Sequence, residues 1–183
     1  MSKSAVPVEI YLQPGDFHFG DETGRLHTVL GSCVSITLWH PDLHIGGMCH
    51  FMLPSRGKKG VLAPDGRYGD EAIELFLREI GKFGTPPGEY QAKLFGGGNM
   101  FPQLTGNKAS EVGVRNVEAA RSLLLANGFR LRSEDAGGCG HRRVIFDLRD
   151  GHVWVRHEKI KFKHMVASNS AGAAPTTMPR FGA

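Results

Sequence analysis

Along the chain, apolar and polar residues alternate over several short runs, and alternation with a period of two marks a strand with one buried face. On this basis Val34–His40, Ile45–Leu53, Tyr90–Phe95, Phe129–Ser133, Val144–Leu148 and His152–Arg156 are predicted strands, with Val6–Leu12 a further one. Two segments follow the helical period instead. Asp70–Phe83 places Ala72, Ile73, Phe76, Leu77 and Ile80 on one stripe, and Val114–Asn127 ends at Gly128, which suits the C′ position of a helix. Arg149-Asp150-Gly151 predicts a tight turn, with Asp150-Gly151 suited to a type I′ hairpin. Strands outnumber helices, and adjacent strands look hairpin-connected. The expected fold is therefore α+β, an α/β sandwich of mostly antiparallel or mixed sheets with two main helices packed outside, in a single domain over residues 1–165. Residues 166–183, small, polar and proline-containing, have too little apolar mass to offset ordering entropy and are expected to form a disordered tail.

Composition narrows the class. At 183 residues, 40% hydrophobic and 22% charged, the chain can bury one core and is too short for a second full domain. The opening residues MSKSAVPVEI lack the apolar run of a signal peptide, and no later stretch is long enough to span a bilayer, so a cytoplasmic protein without membrane insertion is expected. The three cysteines are expected to remain thiols in a reducing compartment. The net charge of +4 is mild, with basic residues scattered apart from Arg142-Arg143 and the Lys159-Lys161-Lys163 alternation. It signals nucleic-acid binding only weakly and suits an acidic protein surface equally well.

The stretch from His27 to Pro54 holds two cysteines and four histidines. If Val34–His40 and Ile45–Leu53 form an antiparallel hairpin turning between Pro41 and Asp42, Val34 opposes Cys49, Ile36 opposes Gly47 and Leu38 opposes Ile45 on an apolar face. The same register sets Cys33 opposite His50 on the other face, with β-carbons roughly 4.5–5.5 Å apart. Cys49 then reads as a small buried hydrophobe. Cys33 follows the small-residue turn Gly31-Ser32, where free backbone amides can meet a developing negative charge. An adjacent imidazole can lower a thiol from about 8.5 into the range of about 3.5–7.5, giving a thiolate at neutral pH. Thr28 is the nearby candidate to orient that histidine through its hydroxyl.

Blander readings stand beside these. A lone cysteine in a strand is usually core, and a lone histidine is usually solvated or hydrogen-bonded. Cys33, Cys49, His50, Cys139 and His141 are zinc-ligand types, but no C-x-x-C pair occurs, and adjacent Cys49 and His50 point to opposite faces of a strand. His27, His40 and His44 fall at strand ends or in the turn and are expected to be solvated. Gly96-Gly97-Gly98 lacks the lysine and hydroxyl residue of a phosphate loop; a flexible turn is the preferred reading, and close backbone approach to a substrate or to the active-site strand is the alternative. Gly137, Gly138 and Gly140 allow the same two readings, and Arg142 and Arg143 read as a charged strand end.

The strings LGSCVSITLWHPDLHIGGMCHFMLP, RYGDEAI, KLFGGGNMF, GVRNVEAARSLL and EDAGGCGHRRVIF occur in this order between about Leu26 and Arg156, and together they resemble the chemoreceptor glutamine deamidase family, CheD. The resemblance implies one α/β domain that hydrolyses particular glutamine side chains in the cytoplasmic region of methyl-accepting chemotaxis receptors to glutamate, releasing ammonia. It implies no metal or organic cofactor. By motif, Cys33 is the nucleophile, His50 its base and Thr28 the residue that orients the histidine. Here Thr28 stands one residue nearer the G-S-C than in the family's T-x-G-L-G-S-C pattern, and Gly138-Cys139-Gly140-His141-Arg142 departs from the usual glycine-x-x-glycine-arginine form. A monomeric enzyme is expected. A CheC-type phosphatase is the further partner the resemblance implies, and an adaptor binding it or the receptor without catalysis is the alternative.

Overall fold

The computed structural model describes residues 6–57, 63–103 and 108–160. The expected tail, residues 166–183, lies outside them. Nine strands form two sheets: β1 (Val8–Tyr11), β2 (Phe17–Gly20), β3 (Gly24–Leu30), β4 (Val34–His40), β5 (Ile45–Cys49), β6 (Gln91–Gly96), β7 (Arg130–Ala136), β8 (His141–Asp147) and β9 (Val153–Glu158). One sheet runs β1-β3-β8-β9 and the other β2-β5-β4-β6-β7. The β1–β3 and β6–β7 pairs are parallel and the rest antiparallel, so both sheets are mixed and the α+β sandwich is the observed class. Two helices, α1 (Gly69–Lys82) and α2 (Lys108–Ala126), cover the outer face of the five-stranded sheet. Among the described residues, no helix is long and apolar enough to cross a membrane.

Strand alternation divides the interior into two cores. Val34, Ile36, Leu38, Cys49 and Phe51 point outward from the five-stranded sheet and meet Ala72, Ile73, Phe76 and Ile80 of α1 and Val117, Ala120 and Leu124 of α2. Full burial of each large side chain there contributes about 1.5–3 kcal/mol. Between the sheets, Met48 and Phe95 pack on Leu26, Leu30, Val144 and Phe146, with Cys33 and Trp39 at the margin. Helix α2 stops as its sequence predicts. Gly128 takes φ of 79°, a left-handed conformation that costs glycine little, and Phe129 N–H reaches back to Leu124 O at 3.0 Å.

The strand register differs from the expected hairpin by two residues. In the structure Leu38 opposes Gly47 and His40 opposes Ile45, with an isolated bridge between Val34 and Phe51. The cause is a longer turn, spanning Pro41–His44. His44 takes φ of 51° and donates its N–H to His40 O at 3.0 Å, while the amides of Asp42 and Leu43 both donate to His40 Nδ1 at 3.3 Å. His40 is thus a buried turn organiser, paired through Nε2 with Glu89, instead of a solvated side chain. The β8–β9 turn also differs from type I′, which needs positive φ at both central residues; only Gly151 has it. Strands β2 and β3 were absent from the predicted set. Their segments are short or interrupted by His, Thr and Gly, yet in β3 Leu26, Thr28 and Leu30 alternate inward in regular order.

Candidate active site

Three connections between the sheets gather at one end of the sandwich. The chain crosses from β1 to β2 over Leu12–Asp16, from β3 to β4 over Gly31–Cys33, and from β7 to β8 over Gly137–Gly140. Cys33 lies in the second crossing. His50 follows β5 immediately, and its backbone is tied to the first crossing by Gly15 N–H to His50 O at 2.7 Å and His50 N–H to Asp16 O at 3.0 Å. Thr28 projects inward from β3 on the opposite sheet and meets the imidazole, with Thr28 Oγ1 2.8 Å from His50 Nδ1.

The Thr28 hydroxyl has one proton, and it donates that proton to Leu12 O at 2.9 Å. Toward His50 it can therefore only accept, so Nδ1 carries the ring proton of the neutral imidazole and Nε2 holds the lone pair. That Nε2 is buried and has no hydrogen-bond partner among the described residues. Burial lowers the His50 pKa, while the Leu12 carbonyl and the charge of Asp16 oppose the shift. The imidazole is consequently a neutral base with a fixed tautomer.

Cys33 shares the inter-sheet face with His50, but the two-residue shift makes them diagonal neighbours, since Ser35 stands opposite His50. Diagonal pairs lie roughly 7–8 Å apart at the backbone, within reach of an imidazole. Burial pushes the Cys33 thiol up, opposed by its own backbone amide. The resting pair is thus a thiol and a neutral imidazole, not the thiolate expected from proximity alone. For this thiol to act as a nucleophile, proton transfer would have to accompany attack. On the opposite face, Cys49 is wholly buried and pushed up to about 12 by desolvation, which removes it from nucleophilic chemistry at neutral pH.

Two further elements shape the Cys33 crossing. The Gly96–Gly98 loop packs against it: Gly97 N–H donates to Cys33 O and Gly98 N–H to Gly31 O, both at 2.8 Å. A β-carbon on Gly96, whose φ is 105°, would sit 2.3 Å from Cys33 O, so this loop makes the close approach and is not merely a flexible turn. Arg142 is buried beneath it, donating to Asp135 Oδ1 and Gly137 O, each at 2.9 Å, and so is not a charged strand end. Among the described residues, the amides of Ser32 and Cys33 have no backbone acceptor, and the Cys33 amide lies against its own thiol. Met52, Leu53, Phe101 and Val114 present exposed apolar surface on neighbouring segments.

Reading the sequence missed Asn116 as a site residue. Wholly buried on α2, it donates through Nδ2 to Ser32 O at 3.0 Å and Met52 O at 2.8 Å. A polar residue interrupting the apolar stripe of a helix was the available signal. Among the described residues no group of three or more His, Cys, Asp and Glu side chains is arranged to hold a metal.

The family model for CheD chemotactic sensory transduction matches residues 52–157. The chain is 54% identical over 147 residues, 80% of its length and 86% of the relative's, to a probable chemoreceptor glutamine deamidase CheD 3 of Dechloromonas aromatica. It is 50% identical over 162 residues, 88% of its length and 96% of the relative's, to a probable chemoreceptor glutamine deamidase CheD of Pseudomonas syringae pv. tomato. Similarity extends to a Leptospira interrogans relative of the same description, 38% identical over 156 residues, 81% of this chain and 92% of that one.

Proposed function

The chain belongs to the CheD family, and from that premise we propose that it deamidates glutamine side chains of chemotaxis receptors, with Cys33 as nucleophile, His50 as base and Thr28 as the residue that orients the base. The observation that carries the reading is the hydrogen-bond chain Leu12 O, Thr28 hydroxyl, His50 Nδ1–H, which leaves Nε2 as the only basic position of the ring.

In the proposed reaction Cys33 Sγ attacks the side-chain carbonyl carbon of glutamine as His50 Nε2 takes the thiol proton. A C–S bond forms, and the Ser32 and Cys33 amides stabilise the tetrahedral oxyanion. His50 returns the proton to the amide nitrogen, the C–N bond breaks and ammonia leaves a thioester. Water then gives a proton to His50 and attacks the thioester, releasing glutamate and restoring the thiol. The sum is glutamine plus water to glutamate plus ammonia, with no cofactor needed for the balance. The cytoplasmic part of the receptor is the proposed substrate region.

Mass spectrometry of a receptor cytoplasmic fragment incubated with the wild-type protein or Cys33→Ala tests this reading. Conversion of glutamine to glutamate by wild type alone is expected. No conversion by folded wild type on a cognate receptor would replace the enzyme with the adaptor.

A further inference from the structure

The β4–β5 ladder is interrupted next to the nucleophile. Its continuous pairs run from Thr37 to His40, and only the isolated Val34–Phe51 bridge reaches toward the site. Beyond it, Ser32 and Met52 are joined through the Asn116 amide. The amide's orientation is unambiguous, because two carbonyl acceptors require the nitrogen with its two hydrogens. Its Oδ1 is buried with no partner among the described residues. Such an orphan forfeits a hydrogen bond it had in water, and asparagine is also a weaker helix former than leucine. An apolar side chain would avoid both penalties, so the asparagine is accounted for by the link it makes.

That link has a directional consequence. In a trans peptide the carbonyl and the following N–H point in opposite directions. Drawing Ser32 O toward α2 turns the Cys33 N–H away from α2. Gly97 N–H on Cys33 O fixes the next peptide in the same way. We infer that Asn116 is a positioning residue: it sets the Ser32–Cys33 peptide so that the Cys33 amide faces the developing oxyanion, and it ties the chain after His50 to the same anchor. The inference rests on the deamidase reading, and it assigns Asn116 no contact with substrate.

Asn116→Leu keeps an apolar-compatible volume and removes both donors; Asn116→Ser is smaller and keeps one. The expected result for the leucine variant is a kcat for deamidation about 10²-fold lower at unchanged KM, with the serine variant between it and wild type. Iodoacetamide labelling read by peptide mapping supplies a second measurement that needs no receptor. Cys33 should label roughly threefold or more faster in Asn116→Leu as its turn loosens, while Cys139 keeps its rate and Cys49 stays protected. A folded leucine variant with wild-type kcat and Cys33 labelling overturns the inference. So does a variant in which Cys49 labels along with Cys33, since that is general loosening of the fold. If wild type converts no receptor, the deamidase reading fails, and unchanged Cys33 labelling in both folded variants still overturns the positioning role.

Discussion

The two faces of β4 and β5 are made by alternate residues of the same two strands, yet they behave as opposites. The outer face, with Val34, Ile36, Leu38, Cys49 and Phe51, is apolar up to the buried His40 at the turn and is closed by the two helices. The inner face buries Ser35, Thr37 and His50, and among the described residues both Ser35 Oγ and His50 Nε2 lack hydrogen-bond partners. Each buried orphan costs about 1–3 kcal/mol. The contrast teaches that burial alone does not distinguish a core thiol from one proposed to react. Among the described residues, what separates Cys33 from Cys49 is a base with a fixed tautomer on its own face and amides beside it that have no backbone acceptor.

Substitutions on each face test that contrast. The largest expected effect is on the inner face, where Cys33→Ala should reduce glutamine conversion by roughly 10³-fold or more with an unchanged melting temperature. Residual conversion near the wild-type rate would remove Cys33 from the chemistry. On the outer face, Ile36→Ala, beneath the helices, should destabilise by about 2–5 kcal/mol in denaturant unfolding while the folded fraction keeps its kcat. Thr28→Ala should fall between these in kind: about 10–100-fold in kcat, because the ring keeps its basic nitrogen but loses its fixed orientation. A loss as large as that of Cys33→Ala in folded protein would mean that Thr28 does more than orient.

The pH dependence sharpens the same comparison. His50 is depressed below 6.5 by burial, so the unfolded chain binds its proton first as pH falls. The stability it contributes is complete above pH 6.5 and is lost between the unfolded and the lower folded value. His18, also lowered by burial, acts in the same direction. The acid limb of kcat/KM should therefore have its midpoint below 6.5, and a midpoint at or above that value would contradict a buried neutral base. Smallest of all should be Cys49→Ala, which loses about 1 kcal/mol of packing and leaves the pH profile of the reaction unmoved. A folded but inactive Cys49 variant would reverse the assignment of faces.

Local periodicity carried a large part of this reading. The alternation of Val34–His40 and Ile45–Cys49 separates Cys33 and His50 from Cys49 under either register, because a shift of two residues preserves sidedness. That is why the turn's two extra residues changed the pairing of Cys33 with His50 from direct to diagonal without moving either to the other face. The stripe of α1 and the glycine stop of α2 were legible for the same reason: both are settled within a few residues.

What the sequence by itself determined, then, is the β4–β5 pair and the two helices beside the site, the α+β class, the family and the side of the sheet on which Cys33 and Cys49 lie; the strand that carries Thr28 was not among its elements. Tertiary structure decided the rest. Thr28 meets His50 across two sheets that no local pattern orders, and that contact together with the Thr28 hydroxyl's bond to Leu12 O fixes which imidazole nitrogen is basic. The burial of Arg142, the packing of Gly96–Gly98 on the Cys33 crossing and the Asn116 link from Ser32 to Met52 likewise arise where distant segments converge. Local propensity is set by neighbours along the chain. The protonation states and free donors of this site are set by neighbours in space.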